Sequence, residues 1–162
     1  MVRKWVVNAS PIISLGKIDR LDLIRELCFE IIIPKGVAAE IAQGPPGDPA
    51  QGWLHHHGKA WLRDVGDINQ LIAAWDLGQG ETEVLNWAYL HPGYEAVLDD
   101  RAARNCAAAM NIKVKGTIGI ILLAKKEKKI SQVSPILIQL EEAGLRIDVP
   151  LFLTAKRLAG EE

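Results

Sequence analysis

The sequence has few of the features that identify a protein class directly, and each shortage excludes something. Only two cysteines occur, Cys28 and Cys106, without a CxxC pair or a Cys/His metal spacing, so a disulfide framework and a zinc ribbon are excluded. No uncharged stretch approaches the roughly 20 residues that span a bilayer. Asn8 and Pro11 interrupt the apolar N-terminal run before it reaches the length of a signal peptide. We expect a cytoplasmic protein with no membrane partner and two buried, reduced thiols.

An excess of one sign of charge is also absent, because 19 Lys and Arg residues balance 20 Asp and Glu residues and leave a net charge of -1. The field of the whole molecule therefore does not attract nucleic acid, and any such binding requires a local basic patch. Nucleotide-binding signatures are missing as well. LGQGETEV (77–84) lacks the preceding strand and the third glycine of a dinucleotide fingerprint, and no GxxxxGK[ST] loop occurs.

What the sequence does contain is an alternation of β-rich and helical segments. Strands are predicted at KWVVN (4–8), FEIIIP (29–34), AWLRDV (60–65), EAVLD (95–99) and IKVKG (112–116). Helices are predicted at 10–28, 35–43, 67–75, 78–90, 101–110, 117–129, 134–144 and 150–160, with a short helix around Trp53. This alternation predicts one α/β domain over residues 1–162, with a parallel sheet covered by helices on both faces.

Polar residues collect at one edge of the predicted sheet. Asn8 ends the first strand, and Asp99 and Asp100 end the strand before RAARNCAAAM. Ligands of an open parallel sheet bind beyond the carboxyl ends of its strands, and the helix that opens near Glu81 starts at that same edge. Glu40 lies within the helix after the second strand, on a turn that could face the same cleft. We expect these side chains to be neighbours.

Each acid taken alone has an ordinary structural explanation, because Asp100 could simply cap a helix and Glu81 suits a helix N-terminus. Together, Glu40, Glu81 and Asp100 would repel one another unless a divalent cation, or Arg101 and Arg104, neutralised them. Hard oxygen ligands select Mg²⁺ or Mn²⁺. Such an ion polarises a phosphoryl oxygen and activates water, so the cluster favours phosphodiester hydrolysis.

Five segments spread over nearly the whole chain carry a family resemblance: VVNASPIISLGKI, IIIPKGVAAEI, GQGETEVLNWA, VLDDRAAR and IKVKGTIGIILLAKK. In content and order they resemble the PIN-domain nucleases, particularly the uncharacterised PIN subgroup related to the VapC toxins. The resemblance implies a three-layer α/β/α fold with a central, mainly parallel sheet and an endoribonuclease that uses Mg²⁺ or Mn²⁺. It further implies RNA as substrate, a homodimer and, if the chain is a toxin, a small antitoxin protein as partner.

The resemblance also implies roles for single residues. Glu40 matches the helix glutamate of the family, Glu81 the acid that opens the central helix, and Asp100 the aspartate after the fourth main strand. Asp99 is an additional neighbour that is common in this subgroup. Ser10 matches a small hydroxyl residue beside the first acid of the family.

One position departs from the family pattern, because Asn8 stands where PIN nucleases usually carry their first aspartate. An amide oxygen can still bind a hard cation, but it contributes no negative charge. Two interpretations follow. Asp99 restores part of the charge and the chain is a ribonuclease with weakened metal affinity, or the chain is a PIN module that binds RNA or a protein partner with little or no hydrolysis.

Residues near the acidic pair are candidates for substrate contact. Arg101 and Arg104 follow the pair directly and could hold a scissile phosphate or neutralise Asp99. Thr117 opens a helix after a strand and could cap that helix or line the cleft.

Two further polar runs have a surface interpretation. AKKEKK (124–129) could contact RNA phosphates, although such runs more often form a solvated helix end. The histidines at 55–57 point about 100° apart on a helix and are poorly placed to share one ion.

Overall fold

The computed structural model describes residues 2–161, and within them five parallel strands form one central sheet. The strands are β1 (Lys4–Val7), β2 (Glu30–Pro34), β3 (Leu62–Arg63), β4 (Tyr94–Val97) and β5 (Val114–Lys115). Their order is β3-β2-β1-β4-β5, so the chain winds outward in both directions from β1. The predicted parallel sheet is confirmed, and all of its strand pairs are parallel.

Helices follow the strands and cover the sheet in a three-layer α/β/α arrangement. They are α1 (Ala9–Lys17), α2 (Asp22–Leu27), α3 (Lys35–Ala42), α4 (Pro49–His57), α5 (Gln70–Ala73), α6 (Gln79–Leu90), α7 (Arg101–Ala109), α8 (Thr117–Lys126), α9 (Ser134–Glu142) and α10 (Val149–Leu158), with a short 3₁₀ helix at Gly58–Trp61. Helices α3 and α6 pack together, while α8 packs against α1, α2 and α10.

The strands are buried because helices lie over both faces of the sheet. Trp5, Val6 and Val7 of β1 are fully or almost fully buried, and residues 31–34 of β2 form a continuous buried run. Such uninterrupted β-branched runs are typical of parallel strands in the centre of an α/β fold. The core that they form with the helices fixes the carboxyl edge of β1 beside that of β4.

One predicted helix is divided in the structure. The helix expected over 10–28 is two helices, α1 and α2, separated by a turn in which Asp19 has a φ of 57°. The amide of Arg20 donates to the carbonyl of Leu15 across 2.9 Å, which closes the end of α1. Because both helices bury their apolar residues in the same core, hydrophobic spacing continues across the turn and does not reveal it.

The C-terminal helix is held in place by the side chain of Glu161. Its carboxylate accepts hydrogen bonds from the amide of Val133 (2.7 Å), from the amide and hydroxyl of Ser134 (3.0 and 2.6 Å), and from Nζ of Lys125 (2.7 Å). Burial alone would raise the pKa of Glu161, but these hydrogen bonds outweigh it and lower the pKa to about 2. The contact joins the residues after α10 to α8 and to the start of α9.

The two cysteines are free and buried, as the sequence predicted. Burial raises the pKa of the Cys28 thiol to about 12 and also raises that of Cys106, so both remain protonated and unreactive at neutral pH. No helix within residues 2–161 combines the length and the apolar character needed to cross a membrane.

Candidate active site

The candidate site begins where β1 and β4 end side by side. Val7 pairs with Val97 in the parallel register, and the amide of Asn8 donates to the carbonyl of Val97 across 2.9 Å. This backbone contact places the side chains that follow the two strands, including Asp99, on one edge of the sheet. The strand register therefore brings together residues about 90 positions apart in sequence.

Asn8 is a deeply buried polar residue of this edge, with 2% of its surface exposed. Its Nδ2 donates to Oε2 of Glu81 across 3.2 Å, which fixes the orientation of the amide because the opposite orientation would set two oxygens against each other. Oδ1 then has no hydrogen-bond partner within the described residues. Buried polar atoms without partners are rare in folded proteins, and an ion or a water at the site is an ordinary explanation.

Glu40 reaches the same place from α3. A Cβ built on Gly80, at the start of α6, would lie 3.1 Å from Oδ1 of Asn8 and 3.2 Å from Oε1 of Glu40. Both oxygens thus lie around a position kept open by the absence of a side chain. Although much of Glu40 is exposed, partial burial of its carboxyl group, and then the charge of Glu81, raise its pKa. Asn8, Glu40 and Glu81 therefore form one group.

Asp99 is held on the other side of the cleft by hydroxyl and amide donors. Its Oδ1 accepts from the amide of Thr117 at 2.8 Å, and its Oδ2 accepts from the Thr117 hydroxyl at 2.6 Å. The hydroxyl of Ser10 lies 3.5 Å from the same Oδ2, a long contact. Thr117 is fully buried, so its hydroxyl needs a hydrogen-bond partner. Donation to Asp99 meets this need and also fixes the orientation of the Asp99 carboxylate.

Asp100 has a different position from its neighbour. It is the exposed N-cap residue of α7, and its Oδ2 accepts from the amide of Ala103 across 2.9 Å. The side chain still borders the site cavity, whereas that of Arg101 is exposed and does not. Of the two adjacent acids, Asp99 is thus the one that contacts Ser10 and Thr117.

The cavity at this edge has a volume of about 650 Å³ and contains both signs of charge. Its acidic lining comes from Glu81, Asp99 and Asp100, and its basic lining from Arg104, Lys115 and Arg146. Within residues 2–161 none of these acids, nor Glu40, lies within 4.0 Å of a lysine or arginine nitrogen. Arg101 and Arg104, which follow the acidic pair in sequence, therefore form no close ion pair with these carboxylates.

Sequence reasoning did not identify several residues that shape the site. Glu83 accepts hydrogen bonds from the amide of Gly36 and from the side chain of Gln79, both at 2.9 Å, and so joins the start of α3 to α6. Lys115 and Arg146 were also missed. Lys115 was detectable, because it directly precedes Gly116-Thr117 at a strand end, but Arg146 lies in a loop between helices and had no sequence signal.

The donor set is suited to a hard divalent cation, although it is a sparse one. In the part of the chain that the structure describes, no three Asp, Glu, His or Cys side chains are close enough together to hold a metal ion. Asn8 adds an amide oxygen to this edge but no charge. Its unpartnered buried Oδ1 and the carboxylates of Glu81 and of the partly desolvated Glu40 are nevertheless the types of oxygen donor that Mg²⁺ and Mn²⁺ prefer.

The histidines at 55–57 are exposed at the end of α4, away from this edge. Neighbouring rings in this run have their centroids 5.4 and 6.4 Å apart, and they belong to no metal-binding group among the residues described.

Comparison with known families agrees with the fold. A family model described as a PIN domain matches residues 4–161. Neither the curated proteins nor the solved structures gave a significant match. The match covers every strand of the sheet and every residue of the candidate site, and the chain belongs to the PIN-domain family.

Proposed function

We propose that the protein is an endoribonuclease that hydrolyses RNA phosphodiesters with Mg²⁺ or Mn²⁺ at this edge of the sheet. The observation that carries the proposal is the buried, unpartnered Oδ1 of Asn8, which lies beside carboxylates that form no ion pair with any lysine or arginine of residues 2–161. These carboxylates repel a phosphate unless a cation is bound beside them. Membership in a family of nuclease-type fold supports the same assignment.

The ion would be held by Oδ1 of Asn8 and by the carboxylates of Glu40, Glu81 and Asp99. These three carboxylates are not close enough together in the described structure to hold an ion, so they would move closer when it binds. When bound, it would supply Lewis-acid polarisation of the phosphoryl oxygen and activation of water. Thr117 and Ser10 orient the Asp99 carboxylate, and Nδ2 of Asn8 orients that of Glu81. Such prior orientation lowers the reorganisation needed at the moment of reaction.

The other predicted residues take supporting roles in this proposal. Asp100 caps α7 and borders the cavity, so it contributes to the negative field without being a principal ligand. Arg104 lines the cavity, and a Cβ built on Gly116 would lie 2.9 Å from its Nη1 and 3.1 Å from Oδ1 of Asp99. Because its guanidinium is near the proposed ion, we assign it to a substrate phosphate. Arg101 is exposed and is not among the cavity-lining residues, so this proposal assigns it no role in the reaction.

The two adjacent acids provide a matched test. Purified wild type, Asp99→Asn and Asp100→Asn are each incubated with labelled RNA and Mn²⁺. We expect Asp99→Asn to lower the cleavage rate by about 10²-fold or more, comparable to the loss of an electrostatic group at an active site. Asp100→Asn should lower it far less, because Asn remains a good N-cap. Equal activity of wild type and Asp99→Asn would indicate a contaminating nuclease and refute the proposal.

Metal binding is tested separately by titrating Mn²⁺ into the protein in a calorimeter. We expect one weak site in the wild type that is lost in Asp99→Asn and in Glu81→Gln. Binding that is unchanged in both variants would place the ion elsewhere and remove these residues from the proposal.

A second candidate function is favoured by one specific observation. Asn8 donates to Glu81 and leaves fewer than three close acids, which is the arrangement expected of a PIN module that binds RNA or a protein with little or no hydrolysis. If RNA binds to the wild type but is not cleaved with either Mg²⁺ or Mn²⁺, this candidate replaces the first.

Assembly and toxin activity are additional proposals. A homodimer has available surface on α10, where Val149, Leu153 and Leu158 are exposed, and analytical ultracentrifugation tests it. Growth arrest on overexpression of the wild type, absent with Asp99→Asn and relieved by a small protein encoded nearby, would support a toxin of a toxin-antitoxin pair.

A further inference from the structure

A second cavity of about 530 Å³ lies beside the site cavity, along α8. The two are neighbours, because Lys115 and Gly119 line both of them. A Cβ built on Gly119 would lie 3.1 Å from Cγ of Lys115. The absence of a side chain at Gly119 therefore lets the Lys115 stem lie across α8 at the junction.

The two cavities differ in the charge of their lining residues: the first has both signs and the second is basic. The first cavity presents Arg104, Lys115 and Arg146 as well as its acids. The second is lined by Lys115, Lys125 and Lys126, and no carboxylate of residues 2–161 lines it. Lys125 is already bound to Glu161 and to the carbonyl of Ala159. Of the remaining four cations, none makes an ion pair with any residue that the structure describes. We call Arg104, Lys115, Arg146 and Lys126 the basic track.

The remaining lining of the second cavity is apolar. Leu122 and Leu123 of α8 and the exposed Leu158 of α10 form its walls. A duplex presents phosphates and sugars outward and keeps its bases stacked inside, whereas a single strand also offers base faces to apolar walls. Basic side chains without an ion pair, next to leucine side chains, thus suit a single strand better than a duplex.

Resting on the proposed ribonuclease function, we propose that the basic track binds the phosphate backbone of single-stranded RNA on one side of the scissile bond. The acids at the sheet edge repel phosphates, and the net charge of -1 supplies no general attraction. The track supplies the local attraction that the composition requires. From Thr117 to Lys126 the helix α8 extends over about 14 Å at 1.5 Å per residue, so the strand reaches well beyond the reacting phosphate.

Salt dependence tests the track without any cleavage. A labelled oligouridylate of about 12 nucleotides, within the usual size of single-strand sites, is titrated with protein in EDTA and followed by fluorescence anisotropy. Each phosphate contact on a single strand adds about 0.7 to the slope of log affinity against log salt. Lys126→Gln should reduce the slope by about 0.7 and the affinity at 0.1 M salt by about 5-fold. Lys115→Gln with Lys126→Gln should reduce them by about 1.4 and about 25-fold.

Lys59 provides the matched control. It is exposed and lies just before β3, at the opposite edge of the sheet from β5 and Lys115. Lys59→Gln removes the same charge and should leave both slope and affinity at wild-type values. Thermal midpoints of all variants show whether each is folded, and the exposed Lys126→Gln keeps the test decisive if the double variant is not.

The outcomes separate the track from the nuclease. RNA binding that weakens in the track variants, together with no cleavage by wild type, would refute the proposed reaction and leave the track as a binding surface. Cleavage by wild type with unchanged slopes in both track variants would refute the track alone. Absence of binding by wild type, or tighter binding of duplex RNA than of the single strand, also overturns it. A deoxyuridylate of equal length shows whether the sugar contributes.

Discussion

Nδ2 of Asn8 donates to Oε2 of Glu81 across 3.2 Å, and this contact joins the end of β1 to the start of α6. The amide thereby replaces one acid of a carboxylate cluster with a hydrogen-bond donor. In the absence of a cation this arrangement is self-consistent, because the donor stabilises Glu81 where an aspartate would repel it. Stability without metal and affinity for metal are therefore opposed at this position.

Replacing Asn8 by Asp should lower the stability of the metal-free protein and raise its affinity for a divalent metal ion. Without a divalent ion we expect a free energy of unfolding lower by about 1–3 kcal/mol, since a buried carboxylate replaces a hydrogen-bonded amide. With Mn²⁺ the added charge should raise metal affinity at least about tenfold, because close charges interact by several kcal/mol in such a cleft. Thermal midpoints with and without Mn²⁺, and calorimetric titration, measure both. Asn8→Ala serves as control, and a gain of metal affinity in that variant would contradict the electrostatic argument.

The substitution Gly80→Ala should weaken metal binding while changing the stability of the fold only a little. Alanine is the better helix former by about 1 kcal/mol, but its Cβ would crowd Oδ1 of Asn8 and Oε1 of Glu40 at 3.1 and 3.2 Å. We expect a small change in thermal midpoint together with a clear loss of Mn²⁺ affinity. Gly52→Ala in α4 is the matched control, because a Cβ there meets nothing within 4 Å. Equal effects of the two substitutions on metal affinity would contradict the proposed positions of the ligands.

The Glu161 contact predicts an acid-sensitive C-terminal region. Its pKa in the folded protein, about 2, lies below the ordinary value of 4.5. The stabilisation is therefore complete above about pH 4.5 and is lost as the pH falls towards 2. Glu161→Gln should lower stability at neutral pH by about 1–3 kcal/mol and should lose less stability than wild type between about pH 6 and 3. Chemical unfolding at the two pH values measures this, and parallel losses in both proteins would contradict it.

The fold was predictable because local signals agree with one another. Strand-helix alternation, Pro34 at the end of the run 29–34, and helix formers at 101–110 all indicate elements that the structure contains. The turn at Asp19 was not predictable, since apolar spacing records burial and both flanking helices are buried. Sequence reasoning also placed a helix over 67–75 that is reduced to α5, whose N-cap Asn69 accepts from the amide of Leu71.

The site was predictable only in part. Because ligands of parallel sheets bind beyond the carboxyl ends of the strands, the sequence alone indicated Asn8, Glu81 and the acidic pair. It could not distinguish Asp99 from Asp100, because that depends on whether Thr117 or Ala103 supplies the donors. Contacts between distant helices, such as that of Glu83 with Gly36, leave no pattern in the sequence at all.

The side chains of the candidate site come from four separate elements or their ends: Asn8 after β1, Glu40 in α3, Glu81 in α6 and Asp99 after β4. No two of these four residues are adjacent in the chain, so their oxygens come together only when all four elements are folded. A ligand that binds them recognises the native state and not the unfolded chain, and it stabilises the whole fold by mass action. Occupancy of the site can therefore be monitored in a melting curve with any probe placed anywhere in the core.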